Sequence, residues 1–161
     1  MDLNESIIQK FGNQLRIRPC GIVTEHNSVL LIKHAALNEE GIFWSPPGGG
    51  LQFGECIAEC LQREFIEETN LQISVGNLLG VYEYRQMPLH AVELFFHCHI
   101  VDGIIALGTD PELEKELQII QDIQFIDFDL LHTFSPNILH PIFHGLKNTT
   151  ELLKGLGLIE R

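Results

Sequence analysis

Two hydrophobic rhythms alternate along this chain and divide it into strands and one principal helix. Residues 14–33, QLRIRPCGIVTEHNSVLLIK, carry two β-rich runs separated by His26-Asn27-Ser28, which predicts two strands joined by a turn. Ile42-Phe43-Trp44 then leads into Ser45-Pro46-Pro47-Gly48-Gly49-Gly50, where prolines and consecutive glycines predict a loop without regular structure. From Glu55 the period changes. Ile57, Leu61 and Phe65 recur one helical turn apart, with Ala58 and Ile66 beside them, and predict a helix ending near Thr69-Asn70. Leu71 to Tyr84 and Ala91 to Ile100 return to strand patterns, Gly103 to Glu116 reads as a connecting loop, and Ile119 to Phe128 as another strand. Asn137 to Leu158 predicts partial helix with breaks around Gly145 and Gly155. Strands, one long helix, more strands and a C-terminal helix describe an α+β domain with a mixed β-sheet.

At 161 residues, with no linker, repeat or low-complexity run, residues 1–161 read as one domain. The charge narrows the function more than the length does. Ten Lys and Arg against 22 Asp and Glu give a formal net charge of -12. Nucleic-acid binders carry basic stripes, and an acidic surface is repelled by anionic membranes, so neither partner is expected. The most apolar stretch, Leu94 to Leu107, is interrupted by His97, His99 and Asp102 and is too short to cross a bilayer. The acidic start, Met1-Asp2-Leu3-Asn4-Glu5, lacks the basic and apolar regions of a secretion signal, and Cys20, Cys56, Cys60 and Cys98 form no CxxC pair. A cytoplasmic protein with reduced thiols is the expectation.

The predicted helix has a second face. Glu64, Glu67 and Glu68 stand at i, i+3 and i+4, so their carboxylates project into one region and repel one another. Arg63 is four residues from both Glu59 and Glu67 and can offset part of that repulsion. A solvated acidic face is one reading. The other is a divalent-cation site, because Mg²⁺ takes oxygen ligands and bridges to substrate phosphates. The glycines upstream add weight to the second, since glycines feeding a helix N-terminus let the backbone approach an anionic ligand.

Residues 49–71, GGLQFGECIAECLQREFIEETNL, resemble the Nudix box of the Nudix hydrolase superfamily (MutT-like). Gly49, Glu55, Arg63, Glu64, Phe65, Glu67, Glu68 and Leu71 all fall at the spacing of that box, and Asn70 replaces its second glycine. Asn is the next-best residue for positive φ, so the turn survives the change. The resemblance implies an α/β/α sandwich, with the mixed sheet flanked by the box helix and a C-terminal helix. It also implies Mg²⁺-dependent hydrolysis, with Mn²⁺ as a substitute, of a nucleoside diphosphate linked to another moiety. In that reading Glu64, Glu67 and Glu68 are metal ligands, with the carbonyl of Gly48 as an extra one. Glu55, Arg63 and Glu67 take part in catalysis, Arg63 by ordering the carboxylates and Glu55 by supporting them or the attacking water. Gly49, Gly50, Trp44 and Tyr84 become substrate-binding candidates, the aromatics with Tyr82 and Phe53 as a stacking surface for a base, against core packing as the plainer role.

The expected partner is a nucleotide-type small molecule, and a homodimer is a candidate assembly. A nucleotide sugar or ADP-ribose leads the substrate classes, with Pro88 near the place where ADP-ribose-type members carry a proline. A nucleoside triphosphate pyrophosphatase, a catalytically silent nucleotide-binding domain and an isoprenoid diphosphate isomerase are the alternatives. Outside the box, His97 and His99 share one strand face without two further zinc ligands at a recognisable spacing. Cys56 and Cys60 read as packing residues of the helix. Glu112, Glu114 and Glu116 are candidates for an added ligand or base, with a solvated loop as the alternative.

Overall fold

The computed structural model describes residues 3–36, 38–109, 111 and 118–159. The chain opens with α1 (Leu3–Phe11), a helix the strand-oriented reading above missed although Ile7 and Phe11 stand one turn apart. The first β-rich runs then fold as β1 (Gln14–Ile22), β2 (Thr24–Glu25) and β3 (Ser28–Ala35), with the turn at His26 in the left-handed region, φ 53°. β4 (Ile42–Ser45) precedes α2 (Ile57–Thr69), and β5 (Leu71–Gln86) and β6 (Leu89–Gly103) form a hairpin longer than predicted. β7 (Ile120–Asp127) runs into α3 (Phe128–Leu131).

The tail departs from the expected C-terminal helix. It contains two short 3₁₀ turns (Pro136–Ile138 and Pro141–Phe143), a one-turn α4 (Thr149–Leu153) and then a strand, β8 (Gly157–Ile159). Gly145, Gly155 and Gly157 all hold positive φ, so the predicted breaks exist, and the last two turn the chain into strand rather than back into helix.

The expected mixed sheet is present, and a second sheet accompanies it. One sheet has the order β1-β6-β5-β8, with β1 parallel to β6, β6 antiparallel to β5 and β5 parallel to β8. In the other, β3 pairs antiparallel with β2, β4 and β7. The glycine loop is also more ordered than its composition suggested. Gly21 donates to the Pro47 carbonyl (2.9 Å), Gly49 to Pro19 (3.2 Å) and Leu51 to Ile17 (2.9 Å), so residues 47–51 lie along the free edge of β1.

Two apolar clusters hold these layers. α2 buries Leu61 and Phe65 completely against Val23, Leu30, Leu71, Ile73 and Cys98. Burying a side chain such as Phe65 is worth about 1.5–3 kcal/mol, so this contact fixes which face of α2 meets the sheet and which is left for the acids. A second cluster, including Ile22, Leu31, Trp44, Tyr82, Phe95, Phe128 and Phe143, fills the space between the sheets and the tail.

Candidate active site

The acids that the sequence placed on one helical stretch occupy three environments. Glu64 and Glu68 are buried, with 7% and 6% exposure, whereas Glu67 keeps about a quarter of its side chain exposed. Glu68 Oε2 accepts a hydrogen bond from the Gly48 amide (2.9 Å), joining the end of α2 to the glycine loop. Glu64 faces Gly49 so closely that a Cβ there would overlap its carboxylate. Gly49 is therefore glycine for room, and a side chain would displace an acid.

Arg63 ties the group together. Its Nε and Nη2 donate to the two oxygens of Glu55 (2.8 and 3.0 Å), its Nη1 to Glu64 Oε1 (2.7 Å) and Glu67 Oε2 (3.2 Å), and Nη2 also reaches the Gly50 carbonyl (3.2 Å). The partner expected at Glu59 is replaced by Glu55. Glu59 instead accepts from the Cys56 amide (2.8 Å) and caps the helix N-terminus, a competing use of a first-turn carboxylate. The hydrogen bonds from Arg63 hold the Glu55 carboxyl below the usual carboxylate range. Burial, reinforced by Glu55 and Glu64, pushes the Cys60 thiol up to about 12, so it stays neutral and is a packing residue. Cys56 is exposed and does not share that role.

The C-terminal end of α2 is closed from outside the helix. Ala106, Gly108 and Thr109 donate their amides to the carbonyls of Thr69 (3.1 Å), Glu68 (2.9 Å) and Glu67 (3.1 Å). These are carbonyls the helix itself cannot satisfy. A Cβ on Gly108 would overlap the Glu67 carbonyl, so the segment after β6 approaches the acids only as glycine. Asn70 takes the left-handed cap conformation, φ 60° and ψ 22°, as its place in the box required. Glu112, Glu114 and Glu116 lie outside the described residues.

The aromatic candidates separate. Trp44 is buried in the core against Phe134 and Leu139, and is a packing residue rather than a stacking surface. In β4 it is the one buried position, its three strand neighbours being half-buried. Tyr82 is buried too. Tyr84 is half-buried and donates its hydroxyl to Gln86 Oε1 (2.9 Å). Phe53 is fully exposed beside Gly50 and Glu55, on a groove of about 570 Å³ that α1 lines with Lys10 and Phe11. His97 and His99 do meet, ring centroids 4.3 Å apart.

Among the described residues, no three His, Cys, Asp or Glu side chains are gathered closely enough to close around a metal ion. Arg63 explains why, since its guanidinium takes an oxygen from Glu64 and another from Glu67. The donor chemistry nonetheless fits a hard cation. The three acids offer oxygen only, and two of them are buried together.

The family model of the NUDIX domain matches residues 15–142. The chain belongs to the Nudix family. Among curated proteins it is 33% identical over 111 residues to an ADP-ribose pyrophosphatase of Methanocaldococcus jannaschii, spanning 68% of this chain and 64% of that one. It is 30% identical over 83 residues to the m7GpppN-mRNA hydrolase NUDT17 of Danio rerio, spanning 49% and 28%. The chain thus spans less than two thirds of the length of these relatives. A MutT NUDIX hydrolase structure from Burkholderia pseudomallei aligns with a TM-score of 0.64 at 21% identity, over 89% of this chain and 98% of that one. That likeness establishes the Nudix fold.

One buried charged group near this site escaped sequence reasoning altogether. Arg18 on β1 donates to Glu93 Oε1 on β6 (3.0 Å), and His140 Nε2 meets Glu93 Oε2 (2.7 Å). A usable signal existed: Glu93 is a charge inside the otherwise apolar Ala91–Phe96 run.

Proposed function

We propose that this Nudix chain is a divalent-metal-dependent pyrophosphohydrolase acting on a nucleoside diphosphate linked to a second group, of the ADP-ribose or nucleotide-sugar type. The observation that carries the reading is the burial of Glu64 and Glu68 side by side against a glycine loop. Arg63 is one positive charge shared among Glu55, Glu64 and Glu67, and buried carboxylates in excess of it are costly unless a further cation compensates them. The likeness to the archaeal ADP-ribose pyrophosphatase supports the substrate class.

Glu64, Glu67 and Glu68 would hold Mg²⁺ or Mn²⁺, and the bound ion would neutralise the diphosphate and activate water. Arg63 holds Glu55, Glu64 and Glu67 in place through its ion pairs. Glu55, held below the usual carboxylate range with Arg63 on both oxygens, is suited to orient the attacking water. The glycine loop brings backbone rather than side chains against the phosphates. A formal charge of -12 makes unassisted binding of a diphosphate unfavourable, which is a further reason for a cation. The four cysteines are free thiols, in keeping with a cytoplasmic setting.

The test is product analysis of purified protein on ADP-ribose, UDP-glucose, ATP and a capped dinucleotide with Mg²⁺, Mn²⁺ or EDTA. AMP and ribose 5-phosphate from ADP-ribose, lost in EDTA and restored by Mg²⁺ or Mn²⁺, are expected. Full turnover in exhaustively chelated protein overturns the metal reading. Preferential release of pyrophosphate from ATP transfers the assignment to a nucleoside triphosphate pyrophosphatase.

A further inference from the structure

The Arg18–Glu93–His140 group spans three separate parts of the chain, and Glu93 lies at its centre. Glu93 and His140 are buried, with 6% and 4% exposure. His140 Nδ1 accepts the Ile142 amide (3.1 Å), which leaves Nε2 as the proton-bearing nitrogen that donates to Glu93. The His140 ring is itself fixed by edge and tilted contacts with Tyr82, Phe95 and Phe43. Burial pushes the Glu93 carboxyl up, but the bond from His140 and the charge of Arg18 outweigh it and keep the group ionised. Both Glu93 oxygens are therefore used, one by each partner.

Arg18 is not used up in the same way. It has five N–H donors. One goes to Glu93, its Nε is buried with no acceptor among the described residues, and a third of the side chain remains exposed. As a purely structural counter-ion it is a poor choice, since buried ion pairs contribute little net stability and an unmet donor adds cost. Its location gives it a better use. Cys20, two residues along β1, bridges to Gly48, and Gly48 holds Glu68. Alternation puts Arg16 and Arg18 on one face of β1, and a Cβ on Gly50 would lie 2.8 Å from Arg16 Nη2. Two of the ten Lys and Arg residues of an acidic chain thus stand along the strand that carries the glycine loop.

We propose that Arg18 binds a phosphate of the substrate, and that Glu93 and His140 are positioning residues that hold its guanidinium for that contact. This rests on the nucleoside-diphosphate reading above and adds to it a specific anion-binding residue outside the Nudix box. The carboxylates of Glu64 and Glu68 also favour the charged guanidinium, so a phosphate held there lies within electrostatic reach of the acids.

Arg18→Met, Arg18→Lys and Glu93→Gln test it through three readouts. These are KM and kcat on ADP-ribose with Mg²⁺, the Kd of α,β-methylene-ADP by calorimetry, and the melting temperature. Arg18→Met should raise KM and Kd by about 10- to 100-fold, the range for lost hydrogen bonds to a charged group, with kcat changed less than KM. Arg18→Lys should recover part of the loss, because it keeps the charge without the planar fork. Glu93→Gln should raise KM and Kd by a smaller factor. If Arg18→Met does not fold, Arg18→Lys and Glu93→Gln decide. Unchanged KM and Kd in folded variants, with only the melting temperature lowered, make the group structural and overturn the proposal while the hydrolase reading stands. A wild-type protein that neither binds the analogue nor hydrolyses the panel overturns the hydrolase reading, and this proposal with it.

Discussion

Two arginines anchor charge clusters in this fold, and they are built in opposite ways. Arg63 and its acids, Glu55, Glu64 and Glu67, come from one short stretch of sequence, and the turn of α2 with the loop before it brings them together. Arg18, Glu93 and His140 are far apart in the chain and meet only because β1 pairs with β6, Arg18 opposite Glu93, while the tail folds back over the sheet. Their saturation differs as well. Arg63 has three carboxylates and a carbonyl around its guanidinium, so it is a device for ordering acids. Among the described residues Arg18 has one carboxylate, already shared with a histidine, and donors to spare. Saturation of a guanidinium, more than its burial, separates an arginine that organises a protein from one suited to a ligand.

The sharpest probe of the first cluster is Glu68, the buried acid that accepts the Gly48 amide. Glu68→Gln keeps size and can still accept the Gly48 amide, but removes the charge a cation would need. Turnover should fall at least about 10²-fold, as for loss of one strong electrostatic group at a transition state. Folding should be unchanged or slightly firmer, because one of three clustered like charges is gone. Steady-state kinetics beside thermal melting will show it. A destabilised variant with normal turnover would make Glu68 structural.

Next in size is Gly108→Ala, which disturbs the acids from outside α2. The added Cβ would overlap the Glu67 carbonyl and lie 2.7 Å from the Glu68 Cα, so the segment must move or the helix end must give. Overpacking of this kind costs about 1–3 kcal/mol. Urea unfolding should show the loss, and Mg²⁺ affinity should fall with it. A fall in stability with metal affinity intact would mean that residues 106–109 close the helix without setting the acids.

The contrast between the clusters also explains what could be read from the sequence. A helix converts spacing into proximity, so Glu64, Glu67 and Glu68, the apolar face and the cap at Asn70 were all legible. The loop-borne partner was less so: Arg63 turned to Glu55 because Glu59 was taken by the helix N-terminus. Sheet pairing has no such local signal. Neither the order β1-β6-β5-β8, nor the meeting of Arg18 with Glu93, nor the burial of Trp44 follows from local periodicity, since each depends on which strands become neighbours. The tail was misread for a related reason. Its glycines marked breaks correctly, but only the free edge of β5 makes Gly157–Ile159 a strand.

Glu55→Gln tests the saturation of Arg63 more gently, and the effect depends on pH. Arg63 holds the Glu55 carboxyl below its ordinary range, so the folded protein takes up that proton less readily than the unfolded chain. The stability this supplies is complete above the unfolded value, about 4.3, and is lost as pH falls through the lower folded one. Wild type should therefore exceed Glu55→Gln by about 0.5–1 kcal/mol near neutrality, and the gap in urea midpoints should close below about pH 4. A gap that stays constant on acidification would show that the ionised pair is not its source.

The smallest expected effect belongs to Asn70→Gly, and it asks whether the helix alone sets the acid cluster. Asn70 ends α2 in the left-handed conformation, φ 60°, where glycine carries no penalty. The substitution gives up the bond from Asn70 Nδ2 to the Ile104 carbonyl (3.0 Å), which is exposed, and gains conformational ease in return. Stability should move by no more than about 0.5 kcal/mol, and activity should be retained. Asn70→Val supplies the contrast in the same experiment. A β-branched side chain at positive φ costs roughly 1–2 kcal/mol, and the strain falls within a turn of Glu67 and Glu68, so Mg²⁺ affinity should decline with stability. Melting curves and Mg²⁺ titrations of the pair separate two origins for the cluster. Equal behaviour of Gly and Val would mean that the amides of Ala106, Gly108 and Thr109, rather than the cap, fix the end of the helix. Lost turnover in a well-folded Asn70→Gly with normal metal binding would instead give the Asn70 amide a contact with substrate.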